Sequence, residues 1–564
     1  MIARFCSVLP CLDCTTSVHS SGEYTPRHVA RLRLIGHHVT MTTSTTIGEL
    51  IRKHAEEHPD KVALLQDDYS RTYQQLHEES NQVAQAMLAA GVGNQDRVAF
   101  LDKNVPEYFT MLFGAAKINA VSVAVNWRLA PPEMAYILNH SKIKVLFIGD
   151  EFLDHLAKMD LQGDPTIVVL GTSDTYVTYE DWIASQPAID PMAPSAPEDT
   201  CYQLYTSGTT GLPKGVELTN NNFFGMMPVA SEMWSFDTDS VNLVAMPLFH
   251  IAGSGWGVVG LFNGGTNILM KDVDPVAILD IIPQHRVTNV LFVPAVIQFL
   301  LMMPNLATTD FSSLRAVMYG ASPITEDVLV GGMNALGCDF RQVYGLTETT
   351  GAVTQLEMED HDPGGPRAHL LRSAGKPIPG TSLRIVDEQG NELPDGEVGE
   401  IWVHSTQNLK AYYADPEATA KAFPEGRDEN GMGWFATGDA GYMQDGYLFI
   451  HDRIKDMIVS GGENIYPAEI ENALMSHPGI ADVAVIGVPD DKWGESVKAI
   501  VVRVPDADGT SDDEIIEYCR ERLAGYKIPR SVTEIEALPR NPSGKILKTE
   551  LRKPYWEGKE RMVN

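Results

Sequence analysis

The sequence predicts an α/β protein: a large N-terminal domain of layered subdomains with a small β-rich subdomain inside it, followed by a small C-terminal α+β domain. Three observations predict this. At 564 residues the chain exceeds the size at which a single hydrophobic core keeps growing. Helical and strand-like periods alternate along most of it. That alternation restarts as a compact unit after about residue 454.

Residues 1–40 carry four Arg against two acids and show no clean period. They read either as a disordered tail or as a start placed upstream of a true one at Met41. Organised sequence begins at Thr46-Ile-Gly-Glu-Leu-Ile. Apolar spacing predicts helices over 47–58 and 73–91, the second with Leu76, Val83, Ala84 and Met87 at core positions. β-branched runs at Val98–Leu101, Val121–Val125, Val145–Ile148, Ile167–Leu170, Leu243–Met246 and Val290–Val293 predict buried strands under helices. Over 380–403 short strands with Gly-rich turns (Asp387-Glu-Gln-Gly, Pro394-Asp-Gly) predict the β-rich subdomain. The N-terminal domain is therefore bounded at 41–454 and the C-terminal one at 455–564. The latter is expected to hold a helix at 468–476, strands near 482–487 and 498–503, and a helix at 512–524.

A net charge of −32 argues against a nucleic-acid or anionic-membrane surface. Any phosphate site must then be built locally, from backbone N–H groups, a few cations and a metal ion. Of six cysteines, Cys6, Cys11 and Cys14 crowd the N-terminus without a fourth zinc ligand at finger-like spacing. Cys201, Cys338 and Cys519 are scattered, which suits reduced thiols in a cytoplasmic enzyme. No run of 18 apolar residues predicts a transmembrane segment, and Pro10 and Asp13 break the only signal-peptide-like stretch. Peripheral membrane contact and a homodimer are left open.

The most informative stretch is Tyr205-Thr-Ser-Gly-Thr-Thr-Gly-Leu-Pro-Lys-Gly215, directly after an apolar run. Gly208 and Gly211 let the backbone curl its N–H groups toward an anion. Thr206, Ser207, Thr209 and Thr210 add hydroxyl donors, and Lys214 a positive charge. It is not a Walker A loop, because Gly215 and not Ser or Thr follows the lysine. A flexible surface linker is the other reading, but a linker needs neither the Pro-Lys-Gly ending nor flanking strands.

The segment resembles the phosphate loop of the adenylate-forming superfamily, which holds acyl-CoA ligases, luciferases and peptide-synthetase adenylation domains. Further elements follow in family order: Tyr344-Gly-Leu-Thr-Glu-Thr, Trp434-Phe-Ala-Thr-Gly-Asp439, Asp452-Arg-Ile-Lys-Asp456, Ser460-Gly-Gly-Glu-Asn-Ile-Tyr-Pro467 and Pro539-Arg-Asn-Pro-Ser-Gly-Lys545. The resemblance covers roughly 47–555 and is most like the fatty acyl-CoA ligase branch.

It implies an ATP-dependent ligase that makes an acyl-AMP from a carboxylic acid and then an acyl-CoA, with ATP, Mg²⁺ and coenzyme A. Glu348 and Thr206 would hold the magnesium. Gly320-Ala321-Ser322 and Tyr344, with Gly345 and Thr347, would line the nucleotide and acyl junction. Asp439 would accept hydrogen bonds from the ribose, helped by Arg453. Lys545 would contact the carboxylate and α-phosphate during adenylation. Lys455 occupies the hinge about which a mobile C-terminal domain would rotate, and Gly461 and Gly462 would admit the pantetheine arm. His250, in its Pro-Leu-Phe-His context, would lie beside the substrate carboxylate. Each has a duller reading as a turn, a surface charge or a core histidine.

If helical, residues after His250 place Gly253, Gly257 and Gly260 on one bare face. Either another helix packs closely there or a ligand fills the space. Because the resemblance implies that this element lines the acyl pocket, the second option favours a medium- or long-chain fatty acid, with aryl or polycyclic acids next. A carrier-loading adenylation enzyme, a fatty acyl-AMP ligase, a luciferase-like oxygenase and a sensor without turnover are the rival classes.

Overall fold

Helix starts in this computed structural model follow from capping. Thr46 and Glu49 form a reciprocal capping box that opens the Ile47–Glu57 helix, and Thr72 with Gln75 does the same for Tyr73–Ala89. The structure describes residues 46–206, 212–322, 324–453, 456–460, 463–490, 492–504, 511–540 and 546–557. The 1–40 segment lies outside these residues. No helix among them is long and apolar enough to cross a membrane.

Two large sheets form the body. An eight-stranded sheet runs, edge to edge, through Ala411–Tyr412, Lys214–Thr219, Thr200–Thr206, Val121–Ala124, Arg97–Leu101, Val145–Gly149, Thr166–Leu170 and Val177–Thr178. A nine-stranded sheet carries Gly351–Leu356, Asp339–Leu346, Ala316–Gly320, Asn289–Phe292, Val241–Val244 and Thr266–Leu269 in its middle. Central strands pair in parallel, and Val145–Gly149, Val121–Ala124 and Ala316–Gly320 are buried on both faces. Continuous apolar composition is what such helix-covered strands require. Each expected run overlaps a strand, although the strand at Val241–Val244 stops two residues short of the expected Leu243–Met246.

The β-rich subdomain is a four-stranded antiparallel sheet of Thr381–Val386, Gly399–Ser405, Phe435–Gln444 and Tyr447–Arg453. Farther along, a five-stranded sheet is built on the long pair Ile480–Asp490 and Gly494–Arg503. Helices Pro467–Met475 and Asp512–Arg520 cover it, with Ile470, Leu474, Val485, Val501 and Ile515 in its core. Arg552 forms a buried ion pair with Asp456. The α/β layering, the small β-rich subdomain and the α+β C-terminal part are as the sequence predicts.

Candidate active site

The phosphate-loop candidate is a hairpin whose closing residues face each other: Thr206 ends one strand and Lys214, its cross-strand partner, begins the next. Ser207, Gly208, Thr209, Thr210 and Gly211 lie outside the described residues, so only the two anchors are placed.

From the nine-stranded sheet, the turn Thr347–Thr349 brings Glu348 to these anchors. Thr206 Oγ1 donates to Glu348 Oε1 over 3.2 Å, and the Tyr412 hydroxyl donates to the same oxygen over 3.1 Å. Both donors address Oε1, and no described residue addresses Oε2. The Leu409 N–H donates to the Glu348 carbonyl over 2.7 Å, fixing the turn from behind. Lys214 Nζ stands 5.0 Å from the centre of the Tyr412 ring, a cation–π contact that aims the ammonium along the same wall. Sequence reasoning missed Tyr412. It sits on the two-residue strand Ala411–Tyr412, and only the pairing of Tyr412 with Val216 brings it here.

The second cluster holds a carboxylate. Asp439 is 6% exposed, and its Oδ2 accepts a 2.8 Å hydrogen bond from the Tyr344 hydroxyl. Strand register puts the Arg453 backbone opposite Asp439. Gly345 is required by the fold, because a Cβ there would sit 1.8 Å from the Gly351 carbonyl oxygen. Gly320 is likewise held by the sheet, with the Val343 carbonyl 2.2 Å from where a Cβ would be. The next residue, Ala321, has φ of +65°, a left-handed conformation that costs a non-glycine residue on the order of 1 kcal/mol. Ser322 follows, half-buried, and Thr347 opens the Glu348 turn.

His250 follows the Val241–Val244 strand and stands at the N-terminus of the Ile251–Phe262 helix. Its Nε2 is buried without a hydrogen-bond partner among the described residues. Burial first, and then the charge of Arg128, lower its pKa to about 4, so the imidazole is neutral at physiological pH. Arg128, which the sequence did not flag, stacks on Trp127, and Trp127 in turn meets Phe249 edge-on. The strands preceding His250, Gly320 and Glu348 run parallel in one sheet and deliver all three segments to its carboxyl end. That is where open α/β sheets bind ligands.

The bare glycine face has a structural explanation. A Cβ on Gly253 would lie 2.2 Å from the Pro247 carbonyl oxygen, one on Gly257 2.5 Å from Phe109 Cζ, and one on Gly260 2.2 Å from Asn267 Oδ1. The face is filled by protein, and the argument from it to a roomy acyl pocket does not hold. Lys455, Gly461, Gly462 and Lys545 lie outside the described residues. Cys201 and Cys519 are buried and Cys338 half-buried; burial raises their thiol pKa values, to about 12 for Cys338 and about 11 for Cys519. None is poised as a nucleophile.

Residues 51–413 match the family model of the AMP-binding enzyme, and 469–545 match that of the AMP-binding enzyme C-terminal domain. A fatty acid–acyl-carrier-protein ligase of Streptomyces coeruleorubidus is 42% identical over 91% of this chain and 96% of its own length. A long-chain-fatty-acid–CoA ligase of Mycobacterium tuberculosis is 37% identical over 90% of this chain and 98% of its own. Among solved structures, the anthranilate CoA ligase AuaEII in complex with anthranoyl-AMP aligns with a TM-score of 0.82 at 28% identity. The alignment covers 90% of this chain and 97% of that one.

Proposed function

This chain belongs to the AMP-binding enzyme family, and from that premise we propose that it is an ATP-dependent ligase joining a fatty acid to coenzyme A through an acyl-adenylate. The observation that carries the reading is the convergence of Thr206, Tyr412 and Glu348 beside Lys214.

In the first step a carboxylate oxygen bonds to the α-phosphorus of ATP and the bond to pyrophosphate breaks. In the second, the thiol sulfur of coenzyme A attacks the acyl carbon, AMP leaves, and the thiol proton passes to solvent. Negative charges meet in the first step and separate afterwards, so positioning and charge stabilisation dominate the rate.

Thr206 and Glu348 offer hard oxygen ligands, the donor type Mg²⁺ prefers, and Tyr412 fixes the carboxylate that would hold it. Bound there, Mg²⁺ would shield the phosphate charge. The 207–211 loop and Lys214 hold the phosphates of ATP. Asp439 accepts from the ribose hydroxyls, kept in place by Tyr344 and helped by Arg453. Ala321 and Ser322 line the nucleotide beside it. Neutral His250 turns its unpartnered Nε2 to the substrate carboxylate and α-phosphate. Lys545 neutralises the carboxylate as it attacks. The 455–564 domain then turns about Lys455 and brings Gly461 and Gly462 to the pantetheine arm. No enzyme cysteine takes part.

A fatty acid is favoured by the names of the two relatives above. A carrier protein as acceptor is the second reading, favoured by the 42% identity to a ligase of that kind. The test is pyrophosphate release with ATP, Mg²⁺ and acids from acetate to palmitate plus aryl acids. Each acid is run with coenzyme A, with a phosphopantetheinylated carrier protein, or with neither, and products are identified by mass spectrometry. Acyl-CoA with AMP supports the reading. Acyl-AMP that persists in coenzyme A but is consumed by the carrier replaces it with the second, and turnover confined to aryl acids refutes the fatty acid.

A further inference from the structure

The first described helix ends on His54-Ala-Glu-Glu-His58, which the ligase reading does not use. Helical spacing sets His54 and His58 one turn apart with Glu57 beside them. The two rings stack with centroids 5.8 Å apart and 18° between their planes. One donor atom from each of His54, Glu57 and His58 lies within 4.8 Å of those of the other two. Proximity alone is common among surface residues, but His54 is only 3% exposed. Its Nε2 lies 2.9 Å from the Phe262 carbonyl oxygen, while its Nδ1 is buried without a hydrogen-bond partner.

A carbonyl can only accept, so Nε2 carries the proton and Nδ1 the lone pair. Metal-bound histidines have this arrangement, one nitrogen fixed by a carbonyl and the other free to ligate. Gly264, at φ of +69°, closes the other side. A Cβ there would come within 3.1 Å of His54 Nδ1 and 3.4 Å of His58 Cδ2, so the missing side chain leaves the space open.

We propose that His54 Nδ1, His58 and Glu57 form a binding site for a divalent transition-metal ion of the zinc type. Two imidazoles and one carboxylate suit Zn²⁺, whereas Mg²⁺ prefers oxygen alone. Glu57 is exposed and His58 half-exposed, so water completes the coordination from the solvent side. Lys53, whose ammonium stands 3.8 Å from Glu57, gives way at little cost because both side chains are well solvated. The ion would tie the last turn of this helix to the corner after Phe262. Tyr73, tilted against His54 at 5.2 Å, already donates to the Gly265 carbonyl there over 2.7 Å.

The experiment uses untagged full-length protein, stripped with EDTA and free of nucleotide, titrated with Zn²⁺ by calorimetry and followed by thermal melting. His58→Gln and Glu57→Gln are run beside it; both side chains are at least partly exposed, and either variant decides the matter should the other fail to fold. The expected result is one high-affinity Zn²⁺ that raises the melting temperature. In the variants its affinity should fall by at least about tenfold, and the temperature rise at a given Zn²⁺ concentration should shrink accordingly. Zinc stoichiometry and affinity that are unchanged in the variants, or no binding by the parent protein, would overturn the proposal.

Discussion

Thr206 and Glu348 are 142 positions apart, come from different sheets, and share a 3.2 Å hydrogen bond. Tyr412 joins them at the same carboxylate oxygen. Glu348→Gln should therefore lower kcat/KM for adenylation by roughly 10²- to 10³-fold. Tyr412→Phe should raise the Mg²⁺ concentration for half-maximal rate by about fivefold, the worth of one net hydrogen bond. Pyrophosphate release across a Mg²⁺ series measures both; an unchanged Mg²⁺ dependence in Tyr412→Phe would remove that residue from the site.

The Tyr344–Asp439 pair should govern nucleotide binding. Asp439→Asn is expected to raise KM for ATP about tenfold or more, since hydrogen bonds to a carboxylate are stronger than neutral ones. It should also weaken use of supplied acyl-AMP, which keeps the same ribose. Tyr344→Phe should do the same by about fivefold. Initial rates in each half-reaction separate the two effects.

His250, with its pKa lowered to about 4, stays neutral across the working range. The unfolded chain, with an ordinary histidine near 6.5, takes up the proton first as pH falls. The His250 contribution to stability is thus complete above about pH 6.5 and is lost towards pH 4. Denaturant melts of the protein and of His250→Ala across that interval should differ in slope. The variant should also lose about 10²-fold in adenylation. A kcat/KM limb in the parent protein titrating near 6.5, and absent in His250→Ala, would contradict this.

Gly257→Ala presses a methyl group against Phe109. The expected cost is about 1–3 kcal/mol of stability, read as a lower denaturant midpoint, with chain-length preference unchanged. A shift in preferred acid at undiminished stability would restore the view that this face lines the acyl pocket.

Lys545→Ala should cripple adenylation and largely spare thioester formation from supplied acyl-AMP. Equal loss of both half-reactions would remove the lysine from the first step.

Strands such as Val145–Gly149 were legible because burial on both faces demands uninterrupted apolar residues. The Tyr73–Ala89 helix was legible from its period, ending within two residues of the expected boundary. Tyr412 was not legible. Lys410-Ala-Tyr-Tyr carries no pattern of its own, and the hydroxyl finds Glu348 only through pairing with a strand nearly 200 positions earlier. The glycine helix was half legible: spacing exposed a bare face, but nothing local says that Phe109 and Asn267 cover it. His54 and His58 went unnoticed because the deciding contact, the Phe262 carbonyl, is 208 positions away.

Thr206, Lys214 and Tyr412 hang from one sheet, Glu348 and Tyr344 from a second, and Asp439 from a third. On the proposed assignment, each sheet by itself holds only part of the constellation, so adenylation would require all three to be docked.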